Sequence, residues 1–103
     1  MSKVLADPIT AELEAFGEEL WSARFAEIDG ALPLREYDGR EWLVVFRTEL
    51  ACFEFVQNTL SEFDMILSLA SFDVWREVAK IIEGCSGLIL MDDIDNPVCH
   101  WVV

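Results

Sequence analysis

Between Asp64 and Met91 the chain reads DMILSLASFDVWREVAKIIEGCSGLILM, two uncharged apolar runs on either side of an amphipathic stretch. Met65 to Ala70 and Leu88 to Met91 have the length and apolar character of buried strands. Between them, Ser71 or Asp73 is placed to cap a helix. Its Val74, Trp75, Val78, Ile81 and Ile82 recur on one side, with Arg76, Glu77, Lys80 and Glu83 outside. Gly84-Cys85-Ser86-Gly87 breaks that pattern. Parallel strands need a long crossover, so the expectation is a strand–helix–strand unit with both strands parallel in one sheet.

The rest of the chain is read around that unit. Asp7-Pro8 suits the start of a helix, and Ile9, Leu13, Phe16 and Leu20 form a narrow apolar stripe along it. Glu14 and Glu18 lie opposite, and Trp21 and Phe25 fall near that acidic side. Either the helix ends near Trp21 and the chain turns inward, or two aromatic rings sit on an acidic outer face. Ala31 to Arg47 reads as a hairpin, because Asp38-Gly39 fits a type I′ turn. That turn pairs Tyr37 with Arg40, Glu36 with Glu41, Arg35 with Trp42 and Leu34 with Leu43. One face then carries Leu32, Leu34, Leu43 and Val45, and the other Tyr37, Trp42, Val44 and Phe46.

Thr48 can cap a further helix with a broad apolar arc of Leu50, Cys52, Phe53, Phe55, Val56 and Leu60. Val98 to Val103 closes the chain as a last strand. The expected fold is one α+β domain over residues 1–103: a mixed five-stranded sheet with three helices, ordered helix, strand, strand, helix, strand, helix, strand, strand. Two right-handed crossovers would set the second and third helices on one sheet face.

The charge balance restricts function. Against 20 acidic side chains stand 7 basic ones, a formal net charge of −13. Such a chain repels phosphate backbones and anionic headgroups, and attracts cationic partners. With 53% apolar residues, disorder is excluded. A chain of 103 residues cannot bury all of its large apolar side chains, which points to a partner or to self-association. Cys52, Cys85 and Cys99 are widely spaced and odd in number, so reduced thiols and a cytoplasmic location are expected. Neither a signal peptide nor a membrane-spanning run is read in the sequence.

Few residues suggest chemistry. Asp92, Asp93 and Asp95 could converge on a hard cation, but the calcium-loop glycine and closing glutamate are missing. An ordinary turn needs the same residue types, so no metal site is expected. Cys99 and His100 are strand neighbours and point to opposite faces, which prevents a joint grip on one ion. The Gly84–Gly87 loop follows a helix, the reverse of a phosphate loop. Arg35, Arg40 and Arg47 are expected to neutralise Glu36, Asp38, Glu41 and Glu49. Trp42 and Trp75 fit core faces, whereas Trp21 and Trp101 lie near element ends.

No catalytic residue and no cofactor is therefore expected. Small size and acidity are similar to those of immunity-type inhibitors of basic nucleases and of acidic chaperones. The expected function is a non-enzymatic interaction module for a basic protein, with Glu14, Glu18, Trp21 and Phe25 as its binding residues. Alternatives are a small enzyme or ligand-binding subunit using Asp92, Asp93 and Asp95, or a structural homo-oligomer subunit.

Overall fold

The hairpin turn forms as its residue types require. Asp38 and Gly39 take φ of 53° and 74°, the positive values of a type I′ turn. Across it Leu34 faces Leu43, Arg35 faces Trp42, Glu36 faces Glu41 and Tyr37 faces Arg40. The computed structural model describes residues 14–25, 33–59 and 65–102. Helical residues 14–16 are followed by β1 (Glu19–Phe25), β2 (Leu34–Tyr37), β3 (Arg40–Val45), α1 (Glu49–Thr59), β4 (Met65–Ser71), α2 (Phe72–Ile81), β5 (Cys85–Leu90) and β6 (Val98–Trp101). The expected positions Asp7, Pro8, Ile9, Leu13, Ala31, Leu32, Leu60, Asp64 and Val103 lie outside the described residues.

The fold is α+β with a mixed sheet, but the strands divide between two sheets. A four-stranded sheet has the order β2-β3-β5-β6, and β1 with β4 forms a separate antiparallel pair. Only β3 and β5 are parallel within the larger sheet. The strand–helix–strand order of the central stretch holds, whereas its two strands are not parallel neighbours. β4 pairs with β1 in unbroken register from Glu19–Ser71 to Phe25–Met65. The extra strand β1 draws β4 into a ribbon of its own, joined to the larger sheet at the Trp21–Phe46 bridge.

β1 exists because the first helix stops early. Gly17 takes φ of +86°, a left-handed position that ends a helix, and Leu20 and Trp21 continue in a strand. The apolar stripe expected to run helically to Leu20 therefore changes period after Phe16. Two backbone hydrogen bonds, Trp21 N–H to Phe46 O (2.7 Å) and Phe46 N–H to Trp21 O (2.8 Å), join β1 to the end of β3. The buried Ser22 hydroxyl donates to Val44 O at 2.7 Å and ties the two sheets a second time.

The helices cover opposite faces of the larger sheet, a second departure from expectation. Phe72, Trp75 and Ala79 of α2 pack with Leu43, Val45, Leu88 and Leu90. Cys52 and Val56 of α1 pack with Trp42, Val44, Phe46, Ile89 and Met91 on the other side. Because β4 lies outside that sheet, the chain passes from one face to the other between the helices, and neither helix makes a simple crossover.

Capping sets both helix starts. Thr48 Oγ1 accepts from Ala51 N–H at 3.1 Å, and Ser71 Oγ accepts from Val74 N–H at 3.1 Å. Ser71 is thus the cap of α2 as well as the last residue of β4. The buried face of α2 is rotated from the expected one: Phe72 and Ala79 are enclosed, while Val74 and Ile81 are 49% and 83% exposed. The helix begins at Phe72, whose ring enters the core against Phe16 and fixes that phase.

Candidate functional site

β3 and β5 leave the sheet at the same end, Phe46 following one and Met91 the other. Carboxyl ends of parallel strands are where connecting segments diverge and leave a crevice. Here α1 closes one side with Ala51, Glu54, Phe55 and Asn58, and the turn after β5 closes the other with Asp92 and Ile94. The result is an open cleft of about 110 Å³ floored by Phe46, Phe55 and Met91. The rings of Phe46 and Phe55 pack at 5.3 Å between centroids.

Hydrogen bonds fix the walls. Met91 N–H donates to Val45 O at 3.1 Å, and Arg47 N–H donates to Asp92 Oδ1 at 2.7 Å, so the two strand ends are laced together. In the acidic turn, Asp93 Oδ1 accepts from Asp95 N–H at 3.0 Å and Asp93 Oδ2 accepts from the Asn96 side-chain amide at 3.2 Å. Asp92 and Asp93 thus serve as turn scaffolding. Among the described residues, no group of three or more His, Cys, Asp or Glu is placed to hold a metal ion.

The electrostatics of this end are one-sided. Glu49, Glu54, Asp92, Asp93 and Asp95 are all exposed, and none forms an ion pair among the described residues. Buried Cys52 registers that field: its thiol is pushed up to about 12, first by burial, then by Asp92 and Glu49. Exposed Leu50 and Ile94 stand beside these carboxylates, 65% and 64% exposed. A larger apolar groove of about 390 Å³ lies along α2, lined by Asp73, Val74, Glu77, Val78 and Ile81. Its two acids are neutralised, Asp73 by Arg76 at 3.5 Å and Glu77 by Lys80 at 3.2 Å. The cleft at the strand ends is the better candidate for a charged ligand.

The four binding residues expected from sequence are not gathered on a helix face. Glu14 is exposed among the helical residues 14–16, and Glu18 is exposed in the bend before β1. Trp21 is half-buried in β1, directly opposite Leu69 of β4 and bridged to Phe46. Phe25 ends β1 opposite Met65. Only Trp21 is therefore next to the cleft, through its bridge to the floor residue Phe46. Sequence reasoning missed Phe46, Glu54, Phe55, Asn58 and Met91. The available signal was that Phe46 and Met91 each end an apolar run.

Cys99 and His100 do point to opposite faces. Cys99 packs with the α1 side of the sheet, and burial followed by Asp38 raises its thiol pKa. His100 is buried on the α2 side near Phe16 and Phe72, and its Nε2 accepts from Arg76 Nε at 3.1 Å. Accepting there leaves the ring proton on Nδ1. Among the described residues Arg35, Arg40 and Arg47 form no ion pair with the acids expected to neutralise them. Arg40 instead lies over the Trp101 ring at 4.8 Å. Compared with known proteins, the chain matches no family model, no curated protein and no solved structure.

Proposed function

We propose that this chain is a non-enzymatic interaction module, of inhibitor, immunity or chaperone type, that docks a basic protein at the carboxyl end of β3 and β5. The observation that carries the reading is the cleft itself, an aromatic and methionine floor under a rim of Glu54 and Asp92. A lysine or arginine side chain has the matching form, an aliphatic stem ending in a cation. The surrounding unpaired carboxylates steer a basic surface toward it, and Leu50 and Ile94 supply apolar contact beside it. Trp21, bridged to Phe46, extends this surface, with Glu14, Glu18 and Phe25 as its outer candidates. The thiols of Cys52, Cys85 and Cys99 are all free, which favours a reducing, cytoplasmic setting. No helix among the described residues is long and apolar enough to cross a membrane.

The test is capture of partners from the native host on immobilised protein, eluted with a salt gradient. A basic protein is expected to leave early in the gradient, since exposed charges are screened within about 8 Å at physiological ionic strength. Glu54→Gln with Asp95→Asn is expected to lower its association rate, and Trp21→Ala to raise its dissociation rate. A partner whose binding ignores both salt and the Glu54/Asp95 pair would refute the reading.

A further inference from the structure

The described strands present four sheet edges; that of β1 is held against the larger sheet at Trp21 by its bridge to Phe46, and the other three are not equally guarded. β2 is four residues long and carries Arg35 and Glu36. β6 is also four residues long and follows the acidic turn and Pro97. Both are short edges, one carrying charge and the other preceded by proline, the usual protection against strand addition. β4 is different. It spans seven residues, MILSLAS, with no charge, no proline and no bulge in its register with β1. Its second edge has no strand partner among the described residues, and Ile66 and Leu69 are 42% and 46% exposed.

We propose that β4 pairs with β4 of a second copy of this chain, antiparallel about a two-fold axis at Ser68. The sequence of the strand argues for that occupant, because it complements itself. In this register Ser68 faces its own copy, Leu67 faces Leu69 and Ile66 faces Ala70, so no charge opposes another, exposed Leu69 meets half-buried Leu67 and exposed Ile66 meets half-buried Ala70. The two β1-β4 ribbons then merge into one sheet of order β1-β4-β4-β1. Trp21 and Ala23 lie in the same cross-strand rows as Leu69 and Leu67, so the rows continue from one copy into the next. In a chain of net charge −13, an uncharged edge is also where a like-charged copy approaches against least local repulsion. The interface is isologous, which closes at a dimer and gives no route to a filament.

Sedimentation equilibrium across protein concentration and salt tests the assignment. The parent chain is expected to be a dimer that tightens as salt screens the mutual repulsion. That response is opposite in sign to release of a basic partner, so the two readings fail separately. Ile66→Lys with Leu69→Lys is expected to sediment as a monomer with an unchanged far-ultraviolet spectrum. Both lysines reduce the net negative charge, so the loss cannot come from greater overall repulsion between the chains. In a Cys99→Ser background, Ser68→Cys is expected to form an intermolecular disulfide on mild oxidation. Facing Cα atoms of an antiparallel pair lie about 4.5–5.5 Å apart, within disulfide reach. A parent that stays monomeric at high concentration and high salt overturns the proposal. So does a lysine variant that remains a dimer, or a dimer whose Ser68→Cys form does not cross-link.

Discussion

Trp42 and Trp101 stand on strands that never pair with each other, yet their rings meet edge to face, 4.9 Å apart at 74°. β5 runs between them, and there it bulges: Glu41–Leu43 on β3 is matched by Cys85–Leu88 on β5. Two residues, Ser86 and Gly87, therefore oppose Trp42 alone. Gly87 pairs with Trp101 and has no side chain, which leaves space for the indoles to close over it. The contact adds to the burial of Trp42, whose Nε1–H also donates to Tyr37 O at 2.9 Å.

Gly87→Ala is the direct test of that arrangement. A Cβ at this position would lie 1.9 Å from His100 O, a backbone atom of β6 that cannot rotate away. The expected loss of stability is about 3 kcal/mol or more, at or beyond the usual cost of overpacking. Urea unfolding measures it, and the near-ultraviolet signal of the indole pair is expected to weaken. A variant as stable as the parent would contradict the bulge geometry.

Trp75 combines packing with a hydrogen bond, and two variants separate them. The side chain is 5% exposed, and its Nε1–H donates to Leu20 O at 2.8 Å, linking α2 to β1. Trp75→Ala is expected to cost about 3–5 kcal/mol through the cavity it leaves. Trp75→Phe keeps much of the volume but removes the indole hydrogen bond to a Leu20 carbonyl that still faces Ala70 in the β1–β4 ladder, a cost of about 0.5–1.5 kcal/mol. Equal midpoints for the two variants in denaturant would show that the hydrogen bond, and not volume, sets the effect.

Ile81 provides the contrast on the same helix. At 83% exposure it makes little use of burial, so Ile81→Ala is expected to change stability by no more than about 0.5 kcal/mol. A loss comparable to that of Trp75→Ala would place Ile81 in the core.

Cys52 sets an alkaline limit. Its folded-state pKa is raised from 9.0 to about 12, so the folded state holds a proton that the unfolded chain gives up first. Its contribution is fully present below the unfolded thiol pKa and is lost as pH rises toward the folded value, at up to about tenfold in the folding equilibrium per pH unit. Cys52→Ala is expected to be less stable at neutral pH, because a buried side chain is shortened. Its stability is also expected to fall less steeply above about pH 9. Parallel slopes for parent and variant in denaturant titrations against pH would remove Cys52 as the cause.

What was legible in the sequence was local. Asp38-Gly39 dictates its own turn and, with it, the whole β2–β3 register. Thr48 and Ser71 cap the helices they precede. These outcomes depend on a few neighbouring residues. The partner of β4 was not legible, since an uncharged apolar run pairs equally well with any available edge. Its assignment depended on β1, which was concealed because Phe16 and Leu20 share a helical spacing although Gly17 separates helix from strand. The helix face around Trp75 was misread for a related reason: Val74 and Ile81 are apolar enough for the core, and Phe72 decides the phase. The cleft joins Phe46, Glu54, Phe55, Met91 and Asp92 from three separate segments, and only the parallel pairing of β3 with β5 brings them together.

That pairing also governs how the chain comes together in time. The hairpin β2–β3 and the neighbours β5 and β6 close over short loops. The ladders that unite the molecule join Val44 to Ile89, across α1, β4 and α2, and Leu20 to Ala70, across β2, β3 and α1. Loop-closure entropy is lost before such contacts return any energy, so folding is slow relative to a helical bundle of this size. The transition state is then expected to contain both hairpins and an unfinished β3–β5 seam. Stopped-flow refolding tests this order: Val44→Ala and Ile89→Ala are expected to speed unfolding more than they slow folding, and Leu34→Ala the reverse. Until β1 arrives, both edges of the uncharged β4 are open, and a net charge of −13 on each chain opposes their association.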